Sequence, residues 1–139
     1  MAKVIALDVG TKRTGVAETD PMQIIASGLT TINTNELLPF LENYCKTENP
    51  ETLVVGQPKR LHGEAGSIEG FILGLIDKIQ KKIPQLKIER QDERFTSNLA
   101  FQAMIDSGLK KKDRAKKELI DQVSATIILQ GWLDRNSAL

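Results

Sequence analysis

Three acidic residues sit where acids are costly, and together they suit metal-assisted attack on a phosphodiester. Asp8 lies near the end of the apolar run 4–9, just before Gly10. A carboxylate at the end of a buried strand needs backbone donors or a metal to offset its desolvation, and open α/β sheets place ligands beyond the carboxyl ends of their strands. An aspartate that closes a turn on its own backbone fits the position as well. Glu93 lies in Asp92-Glu93-Arg94, just past another strand-like segment. If that segment runs parallel to the first strand, Glu93 reaches the edge that carries Asp8; otherwise it belongs to a surface charge cluster before a helix. Asp121 heads the row Asp121, Ala125, Ile128, Trp132 at helical spacing. An acid leading an apolar face either marks its margin or is delivered to the sheet. Three carboxylates make an oxygen-rich set suited to Mg2+ or Mn2+. Two such ions about 4 Å apart activate a water and stabilise the leaving oxygen of a phosphodiester.

That chemistry needs neither histidine nor cysteine, and the chain has one of each, His62 and Cys45. A disulfide within the chain is excluded, a Cys/His zinc site lacks its ligands, and a Ser-His-Asp triad would rest on a histidine in a glycine-flanked stretch. The formal net charge of +1 argues against a protein that coats nucleic acid over its whole surface, but not against a local basic patch. Lys12 and Arg13 stand beside Asp8 in the first hairpin and suit phosphates next to the cut bond; for Lys12 a solvated turn is slightly the better fit. Arg94 either binds phosphate or pairs with Asp92. Lys110, Lys111 and Lys112 open a basic run through Lys117 that is either a salt-sensitive backbone contact or a solvated loop. Aromatic residues make up 4% of the chain, too few for a base-stacking platform along a single strand.

The elements that must position these groups follow from periodicity. Residues 4–9 read as a strand buried on both faces. Residues 14–19 pair back on it across a tight turn, and 24–32 form a third strand. A helix follows Asn33 or Thr34, either a good cap, with Leu37, Leu38, Leu41 and Tyr44 inward. Residues 52–55 are a short buried strand, closed by Gly56 and Pro58. A glycine-containing loop over 59–66 leads to a helix over 67–82, with Ile68, Phe71, Ile72, Leu75, Ile76 and Ile79 inward. A fifth strand covers 86–90. Thr96 or Ser97 caps a third helix that stops near Gly108, and the last helix runs over 118–133. Trp132, Phe71 and Phe101 are expected in the core. The order βββαβαβαα predicts an α/β sandwich with a mixed five-stranded sheet, the first three strands antiparallel and the last two parallel to the first. A length of 139 residues, 40% of them hydrophobic, fits a single domain over 1–139. Asp8 follows too few apolar residues for a signal peptide, and no segment reaches the ~20 apolar residues of a membrane span, so a cytoplasmic protein is expected, as a monomer or weak homodimer.

Four segments occur in order: Asp8-Val9-Gly10-Thr11-Lys12-Arg13-Thr14-Gly15-Val16-Ala17, Val54-Val55-Gly56-Gln57-Pro58, Asp92-Glu93-Arg94-Phe95-Thr96-Ser97 and Ile120-Asp121-Gln122-Val123-Ser124-Ala125. Together they resemble the YqgF (RuvX-like) family of pre-16S rRNA nucleases, relatives of Holliday junction resolvases. The resemblance implies a ribonuclease H-like fold and an endonuclease that trims the 5′ end of the 16S rRNA precursor, with Asp8, Glu93 and Asp121 on the family's acidic positions. Two departures stand out. Gln57 replaces the usual leucine, and Ser124 stands where resolvases carry a fourth acid. The resolvases draw their middle acid from the fourth strand, which here ends in Gly56, so Glu93 must serve from the next one. Three other readings remain open. One is cleavage of branched DNA. A second is a non-catalytic nucleic-acid-binding or transcription factor. The third is a nucleotide-binding module of the actin/Hsp70 type, whose phosphate loop also begins Asp-x-Gly-Thr.

Overall fold

The computed structural model describes residues 2–58, 68–92 and 117–136. Among the described residues five strands are present: β1 (Val4–Val9), β2 (Arg13–Thr19), β3 (Ala26–Asn33), β4 (Thr52–Gln57) and β5 (Lys87–Asp92). Three α-helices accompany them there: α1 (Leu37–Glu48), α2 (Glu69–Lys82) and α3 (Lys117–Asn136). The sheet order is β3-β2-β1-β4-β5. β1–β2 and β2–β3 are antiparallel, while β4 lies parallel to both β1 and β5. The expected third helix and the loop over 59–66, with His62, Gly63 and Gly66, fall outside the described residues. So does Phe101.

Alternation along β1 divides the core in two. Ile5, Leu7 and Val9 face one side and pack with Leu37 and Leu41 of α1, Ile72 and Ile79 of α2, and Leu53 and Val55 of β4. Val4 and Ala6 face the other side, where α3 covers them with Ala125, Ile128, Leu129, Trp132 and Leu133. The helices therefore lie on both faces. β1 is central and nearly free of polar residues because neither of its faces meets water. At the lower edge Lys3 bridges Glu18 and Glu48, and the Tyr44 hydroxyl donates to Glu18 at 2.7 Å. Among the described residues no helix is long and apolar enough to cross a membrane.

Several expectations change. Ile24 and Ile25 precede β3 rather than forming its start. The Asp20 carboxylate accepts their amide hydrogens at 2.7 and 2.8 Å, which holds them in a turn, and they are 66% and 62% exposed. β2 begins one residue early and β5 runs over 87–92, with Leu86 buried just ahead of it. Phe71 is 44% exposed, not in the core, because the apolar face of α2 turns Ile72 and Ile79 fully inward and leaves Phe71 at its margin.

Neither Asn33 nor Thr34 caps a helix by its side chain. Thr34 is instead a clamp on the β1–β2 hairpin. Its hydroxyl donates to the Gly10 carbonyl at 2.6 Å, and its amide donates to the Lys12 carbonyl at 2.9 Å. With its one hydrogen so used, its oxygen accepts from the Thr14 hydroxyl at 2.9 Å. Thr34→Val should lower stability by about 1–3 kcal/mol, since it strands two buried polar groups. Urea unfolding measures this, and an unchanged midpoint would show that water replaces the clamp.

Candidate active site

Asp8 continues the Val4, Ala6 series and so points to the α3 side of the sheet. Directly opposite it in β2 is Gly15. Residues so opposed project to the same face, and there Gly15 has no side chain. On the other flank β1 pairs with β4 through Leu7 and Val55, which makes Gly56 the next position beside Asp8. The carboxylate thus stands between two glycines, in a gap left in the sheet surface.

α3 uses that gap. A Cβ at Gly15 would overlap the backbone oxygen of Asp121, so the helix backbone rests directly on β2 at this point. At Gly28 of β3 the same helix comes close again, with the Gln122 Cβ 3.3 Å from where a Cβ would stand. Farther along, the Trp132 indole donates to Glu89 of β5 at 3.2 Å. Two close approaches over glycine and one hydrogen bond fix the course of α3 across the sheet. They carry Asp121 to the carboxyl end of β1.

The two aspartates are close enough to interact. Burial, and then the negative charge of Asp121, push the Asp8 carboxyl up from its usual 3.8 to about 6. Among the described residues no hydrogen bond offsets this. A partly buried carboxylate without donors, next to a second carboxylate, lacks a cation. Asp121 has one neighbouring cation in Arg13, whose Nε donates to Oδ2 at 3.0 Å. Arg13 is 37% and Asp121 23% exposed, so the pair is open to water and easily exchanged. Two hard oxygen ligands facing a gap fit a divalent ion such as Mg2+ or Mn2+. Among the described residues no group of three potential ligands forms.

Sequence reasoning placed six groups with Asp8, Asp121 and Glu93. Of these nine, the structure brings Asp8, Asp121 and Arg13 together, and leaves Lys12 exposed at the hairpin tip. Glu93, Arg94, Lys110, Lys111 and Lys112 lie outside the described residues. Position 124 on α3 is Ser124, so the described part of that helix brings one carboxylate to this edge. Residues missed at first are Gly15, whose lack of a side chain admits α3, and the Arg90–Glu69 pair. Arg90 donates to the carbonyls of Val55 and Gly56 at 3.2 and 3.0 Å and binds Glu69 at 2.8 Å, and Gln57 reaches the same carboxylate at 3.3 Å. This ties the end of β4, beside Asp8, to the first turn of α2. An arginine in a strand whose neighbours alternate in polarity was the one available signal.

The family profile RuvX, described as Holliday junction resolvase, matches residues 2–135. A protein of Christiangramia forsetii named "Putative pre-16S rRNA nuclease" is 55% identical over 133 residues, which is 96% of this chain and 98% of the relative. One of Phocaeicola vulgatus with the same name is 50% identical over 134 residues, 96% of either chain. Among solved structures, Thermus thermophilus RuvC in complex with Holliday junction substrate superposes with a TM-score of 0.61. The match covers 99% of this chain and 98% of that one at 14% identity. A second structure of T. thermophilus RuvC gives 0.56 over 96% of each chain at 11% identity. The fold is the ribonuclease H-like α/β sandwich that RuvC has.

Proposed function

Because this chain belongs to the RuvX, Holliday junction resolvase, family, we propose that it is a metal-dependent endonuclease that hydrolyses phosphodiester bonds at the 5′ end of precursor 16S rRNA. The observation that carries this reading is the meeting of Asp8 and Asp121 at the carboxyl end of β1, with the Asp8 carboxyl driven up by burial and by its neighbour. The name that the relatives carry, pre-16S rRNA nuclease, supports the rRNA precursor as the substrate. The protein works in the cytoplasm, where the precursor is made, as a monomer or weak homodimer.

Asp8 and Asp121 hold Mg2+ or Mn2+, joined by Glu93, the residue that follows β5 in sequence. The ion supplies activation of the attacking water and neutralisation of charge on the leaving oxygen. The chain positions and steers the substrate. Arg13 holds Asp121 through Nε, which leaves its Nη groups to reach a phosphate oxygen. Lys12, Arg94, Lys110, Lys111 and Lys112 contact the backbone on either side, and binding weakens as salt rises.

The decisive experiment incubates purified protein with precursor 16S 5′-end RNA and with a branched DNA, in Mn2+, Mg2+ or EDTA, beside Asp8→Asn and Asp121→Asn. Cleavage of the RNA that requires metal and both aspartates is expected. Cleavage that persists in EDTA, or in both variants, removes the assigned site. Arg13 offers a finer check. It competes with the metal for Asp121, so Arg13→Gln should bind Mn2+ about two- to fivefold more tightly, the worth of an exposed ion pair. Calorimetric titration reads the change, and weaker binding would make Arg13 a support of the metal site instead of a competitor.

A further inference from the structure

α2 presents one anomaly on its outer side. Phe71 is the one exposed aromatic ring among the described residues, since Tyr44 and Trp132 are buried and Phe40 is partly covered. It stands beside Gly70 and one turn from Gly74, and neither glycine has an atom within 4 Å of where its Cβ would be. Both residues weaken a helix, and packing among the described residues does not require either. Their effect is to leave the flank of Phe71 open. The result is a cavity of about 530 Å³ between α2 and the start of α1, floored by Leu38 and Leu75. This is a size at which small organic groups are held.

We propose that this groove seats an unpaired nucleobase of the substrate strand, a few nucleotides from the bond that is cut, with Phe71 as the stacking surface. The inference rests on the nuclease reading above and adds a binding subsite to it. Three observations select nucleic acid over a protein segment. First, the cavity joins an aromatic ring and an apolar floor to a cation, Lys78, and none of its described lining residues carries a carboxylate. That combination suits a flat base attached to a negative backbone. Second, its near end is polar, with Thr11 and Asn35 able to meet the edge of a base. Third, it reaches the hairpin that carries residues of the candidate active site. Thr11 lies in the hairpin that joins the strand of Asp8 to that of Arg13. Thr34, which also lines the cavity, clamps that hairpin through Gly10 and Lys12. The groove lies on the α1–α2 side of the sheet and the aspartates on the α3 side. A strand passing over the hairpin tip crosses the exposed Lys12 on its way. The base must be unstacked to present its face, so the site takes single-stranded and not duplex nucleic acid.

The test is fluorescence anisotropy of the full chain with a labelled single-stranded oligouridylate and a labelled duplex, both in EDTA, so that binding is read without turnover. Phe71→Leu should weaken single-strand binding about tenfold, while Phe71→Trp retains it. Gly74→Leu fills the groove at a position with open space around it, so it should keep or raise the melting temperature and also weaken binding. Lys78→Gln should reduce the salt dependence by about one counterion. Wild-type affinity in both Phe71→Leu and Gly74→Leu overturns the proposal and assigns the groove to another occupant. So does a wild-type protein that does not bind the single strand. The cleavage assay with Asp8→Asn is read separately: metal-dependent cleavage with unaltered binding by the groove variants rejects only the subsite. Binding that the groove variants weaken, without any cleavage, rejects the nuclease.

Discussion

Asp8→Asn should abolish cleavage and yet, without metal, make the protein more stable near neutral pH. The Asp8 carboxyl is raised from 3.8 to about 6, first by burial and then by Asp121. The folded state therefore holds this proton more tightly than the unfolded chain does. Stability from this group is greatest below about pH 4, declines as pH rises towards 6, and above that the penalty is complete. A shift of this size is worth about 3 kcal/mol, at about 1.4 kcal/mol per pH unit. Asparagine keeps the shape and carries no charge, so the variant escapes that penalty, less whatever its amide loses by burial. In EDTA at neutral pH its melting temperature should exceed that of the wild type, and at pH 4 the two should converge. Mn2+ reverses the order, since it stabilises only the chain that binds it. Cleavage should fall about a thousandfold or more, the several kcal/mol that a bound ion contributes to the transition state. If the variant is less stable at both pH values, Asp8 is a hydrogen-bonded turn residue and not a metal ligand.

Gly15→Ala should damage both the fold and the metal site through a single added methyl. That methyl would overlap the Asp121 backbone oxygen, and backbone cannot swing aside as the end of a side chain can. α3 must lift from β2, which costs about 1–3 kcal/mol as overpacking. The lift also carries Asp121 away from Asp8. A displacement near 1 Å in a catalytic group lowers rates about a hundredfold, so activity should fall more than stability alone accounts for. Gly74→Ala is the control, since its surroundings are open and the substitution should leave stability equal or higher. Denaturant unfolding and a Mn2+ titration of both variants decide the matter. Wild-type metal affinity in Gly15→Ala would mean that α3 can adjust without moving its carboxylate.

The glycine, arginine and threonine that shape this site illustrate where reading a chain stops. The run 4–9 declares a strand buried on both sides, since six residues with one acid leave no polar face. The helical spacing of Ala125, Ile128 and Trp132 declares the apolar face of α3, and all three are buried. Such patterns are legible because the backbone repeats at fixed periods and each side chain meets either core or water accordingly. Phe71 marks the limit of such patterns: periodicity gives a face its centre, and does not say where the margin falls. Thr34 reads as a cap because its neighbours in sequence form a helix, whereas its partners, Gly10 and Thr14, come from a hairpin twenty or more residues back.

Hydrophobic pattern alone reveals the alternation of strands and helices, the parallel return of β4 and β5, and that Asp8 and Asp121 are acids in apolar company. It takes the folded chain to show that these two meet, that Arg13 takes a partner 108 residues away, and that Gly15 is the point where α3 rests. The physical reason is that hydrophobic pattern fixes which way a side chain faces but carries no record of the distance between two faces. That distance is set by packing, and here by the absence of one side chain on β2.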